Sequence, residues 1–172
     1  MTRTLLLFAL FLHVRSLPSG EEHRIDLAAR QIDGIPFAGT LSEIQSHLGQ
    51  NSIQVIPQDI VSDQGDRVID TLWVVTISGH AFTRFSNAVS VTITDSVFRT
   101  NEGVGIGSTV QEFVDYYGIP HFQEENIGYT LTFTTFNLHL SVYISPDCSC
   151  EHDFMTLDKT CPVATLFIVV PA

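Results

Sequence analysis

Hydrophobic and polar residues alternate along most of this chain. Val89, Val91 and Ile93 take one parity and Ser90, Thr92 and Thr94 the other. Further on, Tyr129, Leu131 and Phe133 alternate with Thr130, Thr132 and Thr134, and Leu138, Leu140, Val142 and Ile144 with His139, Ser141 and Tyr143. A period of two in branched, aromatic and hydroxyl residues predicts half-buried antiparallel strands. Residues 52–56, 71–77, 80–85, 97–100 and 164–170 are strand candidates on composition. Ser78-Gly79 and Phe136-Asn137 read as turns, and 58–67 as a polar loop. Residues 21–33 fit either a short helix or a lead into a sheet.

The alternation breaks twice, in the same way. Residues 34–49 and 103–118 align without a gap and share Gly34/Gly103, Thr40/Thr109, Glu43/Glu112 and Gly49/Gly118. Thr-x-x-Glu is a capping box, in which hydroxyl and carboxylate satisfy amides that a first helical turn leaves unpaired. The closing glycine adopts conformations that stop a helix. Leu41, Ile44 and Leu48 share one helical face, as do Val110, Phe113, Val114 and Tyr117. Each copy is followed by three strand signals. The expectation is therefore an α+β fold of two helix-plus-three-strand repeats, about 34–100 and 103–171, forming a largely antiparallel sheet packed by short helices. One such unit is marginal alone, so residues 17–172 are expected to form a single pseudo-symmetric domain.

Residues 1–16 read as a secretory signal: Arg3, an apolar run from Leu5 to Leu12, and a small-residue cleavage site ending at Ser16. No cysteine stands near it, so no lipid anchor is expected. Its removal deletes Arg3 and Arg15, taking the formal charge from −11 to −13. An acidic chain with one lysine, Lys159, lacks the cations that nucleic acid or an anionic membrane requires. Secretion or periplasmic residence is expected, without stable membrane insertion or nucleic-acid binding.

Chemistry-bearing motifs are sparse. Gly103, Gly105 and Gly107 precede a helix, but without the lysine of a phosphate loop they read as a tight turn. His23, His47, His80, His121, His139 and His152 stand singly, with no metal-protease spacing. The spacing of Asp59, Asp63, Asp66 and Asp70 does not follow a calcium loop. Cys148, Cys150, His152 and Cys161 form the densest group of metal-capable residues, but cysteines in an exported chain are more often oxidised. A disulfide of Cys161 with Cys148 or Cys150 is expected, and no metal or cofactor.

The pattern through Thr40, Glu43 and Gly49, and again Thr109, Glu112, Gly118 and Pro120, resembles the repeat of small exported BamE-like (SmpA/OmlA) domains. Doubled, it looks like the tandem architecture of β-lactamase inhibitor proteins. The stretch from Val89 to Gly118 is also similar to uncharacterised exported bacterial proteins. The resemblance implies a fold and carries no functional residue, because the matching positions are helix caps. On function, a non-catalytic binding or scaffold module for an unknown protein or small-molecule partner is expected. Its surface would be Thr130, Thr132, Thr134, His139, Ser141 and Tyr143. The alternatives are a small hydrolase built from scattered His, Asp and Ser residues, or a metal-handling protein using the C-terminal Cys/His group.

Overall fold

The computed structural model describes residues 22–61, 67–85, 90–125, 127–148 and 153–171; the signal segment 1–16 lies outside them. The described part of the stretch 21–33, ambiguous in sequence, forms two short strands joined by a turn at 27–30 and no helix. β1 (His23–Asp26) pairs antiparallel with β2 (Gln31–Ile32), and β2 with β3 (Ile35–Pro36), bringing Ile25, Ile32 and Ile35 onto the same buried side. Helix α1 (Leu41–Leu48) follows. Then comes a meander of β4 (Ile53–Val61), β5 (Arg67–Ile77), β6 (His80–Phe85) and β7 (Ser90–Ile93). The short β8 (Phe98–Thr100) returns to run parallel beside β1. Helix α2 (Val110–Tyr117) opens the second part. A second meander follows: β9 (His121–Glu125), β10 (Gly128–Thr135), β11 (Leu138–Ile144) and β12 (Val163–Val169).

The two meanders meet edge to edge through β7 and β12. The result is an eight-stranded sheet of order β4-β5-β6-β7-β12-β11-β10-β9, beside a four-stranded sheet of order β3-β2-β1-β8. Directly opposed residues of antiparallel strands share a face. One row of the large sheet, Ile53, Val75, Phe82, Ile93, Leu166, Val142, Leu131 and Phe122, is apolar across all eight strands. This inner face packs into one core with the small sheet, Phe37, Ile44 of α1, and Val110 and Phe113 of α2.

The expected α+β fold of two helix-plus-three-strand repeats is not what forms. Strand accounts for 50% of the described residues and helix for 14%, so the protein is mostly β. Each part contributes four strands to the large sheet, and the small sheet draws β1, β2, β3 and β8 all from the first. The physical reason lies in composition. Val, Ile, Thr and Phe favour pleated, half-buried backbone, whereas eight-residue helices are too short to persist without tertiary contacts. The repeated sixteen residues cover a turn and a small helix, a minor share of the folded mass. The polar loop at 58–67 also contracts, since β4 runs to Val61 and β5 begins at Arg67. Asp59 and Asp70 therefore lie in strands, while Asp63 and Asp66 fall outside the described residues.

Candidate functional site

The opposite face of the large sheet carries the residues singled out in the sequence. Thr130 lies opposite Tyr143, Thr132 opposite Ser141, and Thr134 opposite His139. Thr134 and His139 are exposed and the other four half-buried. Their polar atoms are partly engaged with one another. The Thr132 and Ser141 hydroxyls lie 2.9 Å apart, and the Tyr143 hydroxyl donates to the Ile127 carbonyl.

These six belong to longer rows. One runs Gln54, Val74, Thr83, Thr92, Phe167, Ser141, Thr132, His121 across all eight strands. Beside it run Ile56, Leu72, Phe85, Ser90, Val169, His139 and Thr134. On its other side, Thr76 faces Ala81, and Thr165, Tyr143, Thr130 and Gln123 stand in line. None of these residues is Asp, Glu, Lys or Arg, although the chain contains 19 acidic and 8 basic residues. Every hydrophobic residue of the buried core within these strands has the other parity, except Val163, which turns inward where the register shifts between Tyr143 and Ile144.

A second constellation sits where the two sheets meet, and sequence reasoning missed it. His23, at the start of β1, is 2% exposed. Its Nδ1 lies 2.6 Å from Asp33 Oδ2, while Asp33 Oδ1 accepts from the Arg24 amide at 2.7 Å. His80, at the start of β6, repeats the arrangement: Nδ1 is 2.8 Å from Asp95 Oδ2, and Asp95 Oδ1 accepts from the Val97 amide at 3.1 Å. The His80 hydrogen bond, with smaller help from the Val97 amide, pushes the Asp95 carboxyl below its ordinary value. The two imidazole centres are 5.7 Å apart, and His23 packs on Phe98 at 5.1 Å. No motif could have revealed this group, because its members come from four separate segments. Among the described residues no serine hydroxyl bonds either ring, so no Ser-His-Asp relay forms here. His47, His121 and His139 are exposed and apart from it.

The remaining sequence candidates are structural. Thr40 and Thr109 are N-caps with complete capping boxes to Glu43 and Glu112. Gly49 and Gly118 end the helices at φ 85° and 82° with extended ψ, a region essentially reserved for glycine. In the turn before α2, a Cβ on Gly105 would strike the Phe98 carbonyl and the Arg99 side chain. Ser108 Oγ accepts from the Gly105 amide and from Arg99 Nη1 at 3.2 and 2.9 Å. Cys148 and Cys161 form a disulfide; Cys150 and His152 lie outside the described residues. That bond consumes two thiols of the group considered for metal. Arg84 is buried in an otherwise apolar row, its guanidinium 4.5 Å over the Trp73 ring and donating to the Gly39 carbonyl ahead of α1. Burial, which penalises the charged form, lowers its pKa. No helix of the described residues is long and apolar enough to cross a membrane.

No family model matches this sequence, and no curated protein matches it. Among solved structures, the uncharacterized protein yfeY from Escherichia coli is similar, with a TM-score of 0.47 at 15% identity over 73% of this chain and 85% of that one. A likeness at that distance carries no argument about function.

Proposed function

We propose that this chain is a non-catalytic binding module of an oxidising, extracytoplasmic compartment, and that it works through the three uncharged rows on the outer face of its eight-stranded sheet. The observation that supports this reading is the absence of formal charge along the three rows centred on Thr92, Phe167 and Ser141. A sheet face that meets only water ordinarily carries charged side chains, and a strongly acidic chain has many to place there. Interface centres are depleted in charge and enriched in aromatic residues. At ordinary strand and residue spacings the rows cover about 38 Å by about 20 Å, close to the ~800 Å² each partner contributes to a standard interface. With the Thr132 and Ser141 hydroxyls already paired, little hydrogen-bonding capacity there needs replacing when a neutral protein surface docks. The Cys148–Cys161 disulfide supports the compartment.

A photo-crosslinking residue placed at Thr92 or Ser141 in the producing cell tests the proposal. The expected result is a discrete adduct from both positions that is absent when the probe replaces exposed Met155. Equal adducts from all three positions, or none from Thr92 and Ser141, would remove the sheet face as the working surface.

A further inference from the structure

The two histidine–aspartate pairs at the sheet junction have the makings of a ligand site. An ionised carboxylate only accepts hydrogen bonds, so Asp33 and Asp95 each require a proton on the facing Nδ1. In the neutral imidazole this leaves the lone pair on Nε2. Each carboxylate has its second oxygen fixed by a backbone amide, Arg24 for Asp33 and Val97 for Asp95. Ring orientation and tautomer are thereby set twice, from different strands. This is the outer support that metal-bound histidines characteristically receive.

His23 Nε2 is buried and meets no hydrogen-bond partner among the described residues. A buried acceptor left unmet is costly, and such groups call for an explanation. Two imidazoles bound to one ion through Nε2, at about 2.0–2.1 Å from the metal, have ring centres roughly 5–6.5 Å apart depending on the angle at the ion. The His23 and His80 centres are 5.7 Å apart with ring planes inclined by 58°. His80, whose side chain is 36% exposed, provides a path from solvent, and buried His23 the anchored end.

The geometry points to a two-imidazole site for a divalent transition metal of the zinc–copper class, held by His23 Nε2 and His80 Nε2 and supported by Asp33 and Asp95. Imidazole nitrogen suits both ions. Among the described residues no group of three or more His, Cys, Asp and Glu is placed to hold a metal. The ion would therefore keep solvent in its remaining positions, giving an exchangeable site rather than a closed structural one. Since His23 belongs to the small sheet and His80 to the large one, occupancy would clamp the sheets together.

The test is titration of the full chain with Zn2+, and separately Cu2+, followed by calorimetry and by imidazole nitrogen NMR. One equivalent should bind, moving the Nε2 resonances of His23 and His80 and leaving His139 unmoved. At a hundredfold excess over Kd the Tm should rise by about 5–10 °C. His80→Ala, at the rim, should abolish binding while the chain stays folded, and His139→Ala should leave it intact. Asp95→Asn, which keeps both ligands, should weaken binding by about 10–100-fold. Failure of either ion to bind stoichiometrically, or binding that survives His80→Ala, would overturn the assignment. The sheet-face proposal would stand in either case, because none of its rows contains His23 or His80.

Discussion

Helices α1 and α2 start from the same four-residue box, run for eight residues and stop at a glycine, yet they are held to the protein very differently. α2 buries Val110 and Phe113, and Phe113 stacks at 6.1 Å on Phe133 of the sheet with Tyr117 completing the cluster. Its first turn is also stitched to the chain ahead of β12, by Val110 N to Cys161 O at 3.0 Å and Gln111 N to Lys159 O at 2.9 Å. α1 buries only Ile44 fully, and a side-chain tie reaches the carbonyl ahead of it from Arg84. Identical local signals thus fix where a helix begins and ends, while tertiary contacts decide how firmly it is held.

This asymmetry can be broken most forcefully in the core. Phe113→Ala should cost about 4 kcal/mol, the range for deleting a buried aromatic ring, and Ile44→Ala about 2–3 kcal/mol. Denaturant melts of the two variants should rank in that order; the reverse order would contradict the contrast drawn here. Next comes the disulfide, which closes a 13-residue separation in the second part only. Its reduction should cost roughly 3 kcal/mol. Hydrogen exchange should then accelerate in α2, whose amides bond to Cys161 and Lys159, before it accelerates in α1.

Thr40→Ala and Thr109→Ala should each cost only about 1 kcal/mol, since the caps are equivalent. Equal losses from the two would confirm that capping is not the source of the difference. The smallest effect is one of pH. The Thr40 amide and then its hydroxyl hold the Glu43 carboxyl below its ordinary value. A lowered folded value means stabilisation is complete above the usual carboxyl range, near pH 4.3, and is lost as pH falls through the depressed value. The start of α1 should therefore fray on acidification, seen as faster exchange of its first amides, and Glu43→Gln should remove that acid step.

What was legible in the sequence was local. Strands β7, β10 and β11 follow from alternation, β5, β6 and β12 from composition, and both helices from their caps. Pairing over distance was not legible. Nothing in Phe98-Arg99-Thr100 announces a parallel partner at His23-Arg24-Ile25. The exposed HFQEE of β9 carries no alternating apolar signal, because an edge strand of this kind buries little. The imidazole pair was hidden for the same reason: His23 and Asp33 are ten residues apart, His80 and Asp95 fifteen, and only the meeting of two sheets brings the pairs together. The uncharged rows were half visible, as alternating hydroxyls in single strands. Their extent appears only when the register aligns eight strands.

The position of β12 bears on how such a sheet is assembled. It is inserted between β7 and β11, in the middle of the sheet, although it comes from late in the chain. Until it arrives, the first meander ends in an unpaired β7 edge bearing Val91 and Ile93, and the second in an unpaired β11 edge bearing Leu140 and Val142. Open apolar edges of this kind recruit foreign strands. Because the closing contact is remote in sequence, it also forms slowly. Between synthesis and completion of the sheet the chain is thus a protein with two sticky halves and a missing keystone, and a chaperone that shields strand edges has most to protect in that interval.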